Sequence, residues 1–134
     1  MTRPWGLSRR SALLAAGLVL AVAPAYALAD LAPLSKLELG RWLIRDSEGA
    51  ERHAICLKDP AALVQLEHAG DGCTRDAVTD GKEGSTVQYS CAGRGFGHTT
   101  VRVETPRLAK IQTQGIVNGR PFSYRAEARH VGGC

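Results

Sequence analysis

Alternation of apolar and polar residues with a period of two dominates the second half of this chain. Over Pro121 to Arg129, Phe122, Tyr124, Ala126 and Ala128 fall on one parity and Ser123, Arg125, Glu127 and Arg129 on the other, the pattern of a strand with one buried face. Asn118-Gly119 just before it is a hairpin signal, because both residues tolerate the positive φ that a tight primed turn requires. Ile111 to Val117 reads as a further strand. Val101 and Val103 alternate with Arg102 and Glu104, and Pro106 interrupts that ladder because it has no backbone donor. Thr86 to Cys91 places Val87, Tyr89 and Cys91 on one side, and Val78 to Lys82 leads into a turn at Gly81 or Gly84.

The first half carries two more strand patterns and one helix. Leu37 to Arg45 has Trp42 and Ile44 on one parity, Ser47-Glu48-Gly49 is a turn signal, and Glu51 to Leu57 returns. In Asp59-Pro60 the aspartate can accept the unpaired backbone donors of a helix start, and proline fits the first turn where its missing donor is not needed. Leu63 and Leu66 share a face, so a helix of about two turns is expected, closed by Gly70. Gly93-Arg94-Gly95-Phe96-Gly97-His98 has the look of a phosphate loop but precedes a strand rather than a helix, so it reads as a hairpin connection with Phe96 exposed for a partner contact.

These elements predict a mainly β fold: a curled antiparallel meander of six or seven strands with one short helix capping an open end. No connection is long enough for repeated crossover helices. The expected core is Trp42, Val87, Tyr89, Val101, Val103, Ile111, Phe122 and Tyr124. If the sheet keeps open edges, the last strand could pair with another chain, with Arg125 and Arg129 discouraging it.

The N-terminus alters this picture. Arg3, Arg9 and Arg10 precede an apolar run from Ser11 to Val22 and a small-residue exit at Pro24 to Ala29, the three-part layout of a secretory signal peptide. Cleavage before Asp30 is expected, leaving residues 30–134 as a single small exported domain. The apolar run is shorter than the roughly 20 residues a spanning helix needs, so no membrane span is expected after cleavage. Ser8 to Leu14 resembles a twin-arginine signal with Ala12 in place of the usual Phe, although general secretion is the simpler reading. Loss of the three leader arginines lowers the formal net charge from +4 to +1.

A basic platform for nucleic acid is therefore not expected. Charge is nonetheless unevenly spread. Glu83 to Cys134 carries 7 basic and 3 acidic residues, and Arg102, Arg107, Arg120, Arg125 and Arg129 could share a surface facing an anionic partner.

Cys56, Cys73, Cys91 and Cys134 lack the close doublets of a zinc site and read as two disulfides in an oxidising compartment. Three connectivities are possible. Cys56 with Cys73 and Cys91 with Cys134 is favoured, because the first would close the helix-bearing loop and the second would fasten the C-terminus to a central strand.

The Gly40-Arg41-Trp42 start, Cys56-Leu57 before an Asp-Pro helix opening, Tyr89-Ser90-Cys91 and the ending Gly119-Arg120-Pro121-Phe122 through Ala128-Arg129-His130-Val131-Gly132-Gly133-Cys134 resemble the bacterial exported family catalogued as domain of unknown function family 3617. The resemblance implies an envelope location and a small β-rich domain, and it implies no reaction. From the residues, the leading expectation is a noncatalytic periplasmic or secreted module without cofactor. It would bind a small apolar or anionic envelope molecule, or another envelope protein, on the concave side of its sheet or on its arginine-bearing face. The rival is a small hydrolase or other enzyme that would draw on His98, His130 and acids such as Asp76 or Asp80; no Gly-x-Ser-x-Gly elbow or paired-histidine motif marks its site.

Overall fold

A computed structural model describes residues 1–2, 31–70 and 72–134; the leader and its cleavage point lie outside the described residues. Among these residues the chain forms β1 (Gly40–Asp46), β2 (Glu51–Leu57), β3 (Cys73–Asp80), β4 (Gly84–Cys91), β5 (Gly95–Thr105), β6 (Leu108–Val117) and β7 (Arg120–Gly132). Two 3-10 segments, η1 (Ala32–Lys36) and η2 (Pro60–His68), accompany them. The strands make one antiparallel sheet in the order β2-β1-β7-β6-β5-β4-β3. β3 to β7 form a continuous meander, and the β1-β2 hairpin joins it through β7.

β2 and β3 are the two edges of this sheet and do not pair with each other, so it does not close by strand pairing. β7 is interior, flanked by β1 and β6. The expectation that the last strand would be exposed for edge pairing is therefore corrected. Its long alternating pattern describes a strand with two neighbours, and the polar edge positions belong to β2 and β3.

Local chemistry explains the turns. Asn118 and Gly119 have φ of 49° and 76°, the left-handed pair that a two-residue hairpin between β6 and β7 needs. At η2, the Asp59 carboxylate accepts from the Ala61 N–H at 2.9 Å and Pro60 occupies the first turn. The helix is of the 3-10 type and is interrupted at Gln65, whose φ and ψ are −134° and 43°. Gln65 is buried, and its amide donates to the carbonyls of His68 and Gly70 while its oxygen accepts from Arg75. The kink thus lets a polar side chain satisfy the backbone that follows it.

Two strands are longer than the pattern suggests. β3 begins at Cys73 rather than Val78, because an edge strand with polar residues on both parities leaves little hydrophobic signal. β5 begins at Gly95, so only Ala92 to Arg94 makes the turn and Gly95 to His98 is strand. The glycines there serve packing: a Cβ on Gly97 would run into the Tyr89 ring. Phe96 is half exposed.

One face of the sheet is covered by η1 and η2 and forms the core with them. Trp42, Ile44, Val87, Tyr89, Val101 and Ile111 are all buried there together with Leu34, Leu57, Leu63 and Val64. Val103, Phe122 and Tyr124 are partly exposed at its margin. The Trp42 indole N–H donates to the Glu38 carbonyl at 2.9 Å, so this fully buried ring retains a partner. Thr99 and Thr113, also buried, bond to each other at 2.7 Å.

The disulfides are Cys56–Cys134 and Cys73–Cys91, which corrects the favoured connectivity. Cys73 and Cys91 lie directly opposite on β3 and β4, with Cα atoms 4.1 Å apart. Cys56 sits on the other edge of the sheet with five strands between it and β3, and so cannot reach Cys73. Its partner comes from β7: Gly132 lies opposite Arg41, which lies opposite Cys56, and two more residues carry Cys134 across.

Peptide mapping without reductant should recover these two linkages. Their closed loops span 78 and 18 residues, so Cys134→Ser should lower unfolding stability by about 4 kcal/mol and Cys73→Ser by about 3 kcal/mol on loop-closure grounds. Urea titration of the two variants, with the wild type as reference, reads both values.

Candidate functional site

The face of the sheet away from η1 and η2 carries a groove of about 790 Å³, within the size range of small-molecule sites. Its cations come from four adjacent strands. Cross-strand register places Arg45 of β1 opposite Glu127 of β7, Glu127 opposite Lys110 of β6, and Lys110 opposite Arg102 of β5. A second row runs from Arg125 through Gln112 to Thr100. On the other side Leu43 lies opposite Arg129.

Five cations (Arg45, Arg102, Lys110, Arg125 and Arg129) and two carboxylates (Asp46 and Glu127) line the groove. Glu127 accepts from Arg129 Nε at 2.6 Å. Arg102 lies 3.3 Å from both Glu83 and Glu104. Asp46 accepts the backbone N–H groups of Glu48 and Ala50 and faces Arg52. Arg45, Lys110 and Arg125 are exposed and make no ion pair among the described residues. A surplus of positive charge is therefore concentrated on one walled surface, where it attracts an anion more strongly than dispersed cations would.

Of the five arginines that the sequence grouped, Arg102, Arg125 and Arg129 line this groove, whereas Arg107 and Arg120 do not. Arg107 lies in the β5–β6 turn, where its Nε donates to His130 Nδ1 at 3.2 Å and faces Glu38. Arg45 and Lys110 were missed. Both sit on the outward parity of their strands, but only the strand order makes them neighbours of Glu127.

A second polar cluster lies on the covered side. His53 of β2 and Tyr124 of β7 converge on Glu67 of η2: His53 Nε2 lies 3.0 Å from Glu67 Oε1, and the Tyr124 hydroxyl donates to the same oxygen at 2.8 Å. Arg52 stacks over the Tyr124 ring at 4.0 Å, a favourable cation–π geometry. Burial by itself would raise the Glu67 pKa. The hydrogen bonds from His53 and Tyr124, with the charges of His53 and Arg52, outweigh burial and hold the carboxyl below its ordinary value. Burial pushes the Tyr124 phenol up, reinforced by its bond to the Glu67 carboxylate. Beside this cluster is a cleft of about 240 Å³, lined by Asp46, Ala50, Glu51, Arg52, His53 and Glu67.

His68, the last residue of η2, is buried. Its Nδ1 is 3.1 Å from the Tyr89 hydroxyl and its Nε2 is 3.2 Å from the Arg94 carbonyl. A carbonyl only accepts, so Nε2 carries a proton, and a neutral ring then accepts from Tyr89 at Nδ1. Burial, with the nearby Glu67 charge, pushes the Tyr89 phenol up to about 12, so it remains a donor at neutral pH.

The residues proposed for a catalytic site do not meet. His98 faces outward on β5 between Gln88 and Gln114, while His130 packs edge-on against Trp42 on the covered side. Asp76 is on edge strand β3, and Asp80 accepts from the Ser85 hydroxyl at 2.6 Å. No group of three His, Cys, Asp or Glu among the described residues could hold a metal ion. Comparison with family models, with curated proteins and with solved structures gives no match for this chain.

The Glu67 cluster makes a pH prediction. A carboxyl whose pKa is depressed on folding adds stability above its unfolded value, near 4.5, and loses it as pH falls through the lower folded value. Glu67→Gln should therefore be about 1 kcal/mol less stable than the wild type at neutral pH. The gap should narrow below pH 4.5. Urea midpoints for both proteins across the acid range measure it.

Proposed function

We propose that this chain is a noncatalytic module of the bacterial cell envelope, periplasmic or secreted, that binds a small anionic molecule in the groove across β1, β7, β6 and β5. The observation that carries this reading is the clustering of Arg45, Lys110 and Arg125, unneutralised among the described residues, around one carboxylate in a groove of about 790 Å³. Two disulfides suit an oxidising compartment, and no described helix is long and apolar enough to cross a membrane. The leader pattern and the resemblance to family 3617 favour the same location.

Placement of the cations on a rigid sheet supports binding rather than turnover. Their backbones are fixed on strands with neighbours on both sides, so little ordering entropy remains to be lost when an anion docks. Among the described residues no histidine lines the groove, and the Thr100 hydroxyl is bonded to that of Thr86.

A second reading has one specific observation behind it: His53 and Glu67 form a histidine–carboxylate pair beside the 240 Å³ cleft, the arrangement a general base requires. No described hydrogen bond links the pair to a serine, threonine or cysteine, so this reading would need water as the nucleophile. A His53→Gln variant that abolished measurable hydrolysis of small activated esters would support it.

For the leading reading, titration calorimetry with inorganic phosphate should detect binding that weakens with added salt. Replacing Lys110 and Arg125 together by glutamate should lower affinity at least about tenfold, since each reversal turns an attraction into a repulsion. The melting temperature should shift by only a few degrees, as both side chains are exposed. Unchanged phosphate affinity in the folded double variant would refute the assignment.

A further inference from the structure

We infer, resting on the anion-binding reading above, that the ligand of the groove is a single-chain amphiphile whose anionic oxygen head sits among Arg45, Lys110 and Arg125 and whose apolar tail lies over Leu43 and Val131. The groove is chemically polarised. At its centre the register sets cations on both sides of β7, and Gln112 and Thr100 beyond Arg125 offer further hydrogen-bond partners. At the opposite end Leu43 and Val131 line the same groove, on the outward faces of β1 and β7. Val131 is 48% exposed. A single exposed valine on a sheet face needs no explanation. Arg129 stands opposite Leu43 and two positions before Val131, but its guanidinium is drawn to Glu127. This end therefore presents two apolar side chains beside an already paired arginine, next to a basic centre unpaired among the described residues, the complement of a molecule with a charged head and a hydrocarbon body.

Glu127 sharpens the assignment. It stands directly opposite both Arg45 and Lys110 and accepts from Arg129, so it serves as an internal counter-ion that limits repulsion among the cations. Its carboxylate engages Arg129 and leaves Arg45 and Lys110 without an ion pair among the described residues, and it repels an incoming anionic head. Glu127 therefore sets the affinity for anions, and its neutralisation should strengthen binding rather than weaken it. A face whose charges were merely solvated would respond to Glu127→Gln with little change in any ligand's affinity.

Carboxylate and phosphate monoester heads share the chemistry this site recognises, and the test separates them. The full chain, with its disulfides formed, is titrated with octyl phosphate, octanoate, octanol, inorganic phosphate and acetate below any micelle concentration. Octyl phosphate or octanoate should bind about a hundredfold more tightly than the corresponding headgroup anion, the effect of burying roughly three or four methylene groups. The pair showing the larger gain identifies the head. Leu43→Ser combined with Val131→Ser should erase the gain while leaving inorganic phosphate affinity unchanged, and Glu127→Gln should raise affinity for the amphiphile roughly threefold to tenfold. Should the double serine variant fail to fold, butyl against octyl phosphate on the wild type replaces it: affinity must rise with chain length. If inorganic phosphate binds as tightly as octyl phosphate, the tail assignment is overturned and the anion site stands. If octanol matches octyl phosphate, or none of the five binds, both are overturned.

Discussion

The whole molecule depends on the two-sided pairing of β7. This strand completes the ladder of β1 on one side and of β6 on the other, and among the described strands it is what makes a hairpin and a five-stranded meander into one sheet. Its alternation then serves both faces at once. Ala126 and Ala128 enter the core, while Arg125, Glu127 and Arg129 enter the groove. Because side chains on a strand change face at every residue, a slip of one position would exchange the two sets and destroy core and groove together. Pairing on both sides makes such a slip doubly unfavourable.

The covered face shows why the polar groups near the core are not a weakness. Glu67, His53 and Tyr124 tie η2 to strands β2 and β7, and His68 with Tyr89 ties it to the middle of the sheet. Each group has partners, and none of the buried side-chain polar atoms among the described residues is left without a hydrogen bond. Paired polar groups of this kind add directional restraint to a cover whose 3-10 geometry is less regular than an α-helix.

Much of the fold was legible because local chemistry and the tertiary structure agree. Phe122 to Ala128, Asn118-Gly119 and Asp59-Pro60 each carry a signal whose physical cause lies within a few residues. β3 was legible only at its far end, since its environment on the sheet edge selects for polarity on both sides. η1 gave no periodic signal in five residues. The pairing of the cysteines and the two polar sites could not be read in the same way, because they are properties of strand order. Arg45 and Lys110 are 65 positions apart yet flank the same residue, Glu127. His53, Glu67 and Tyr124 likewise meet across separations of 14, 57 and 71 residues. Only the insertion of β7 between β1 and β6 makes these sets local.

The nesting of the two disulfides has a further consequence. Cys73–Cys91 lies wholly inside the stretch closed by Cys56–Cys134, and the exposed turn at Lys82 and Glu83 lies inside both. A protease that cuts this turn would leave its two products joined by two covalent links, with the β7 ladder untouched. The domain therefore tolerates scission at this exposed turn without coming apart, a useful property wherever degrading enzymes share its compartment.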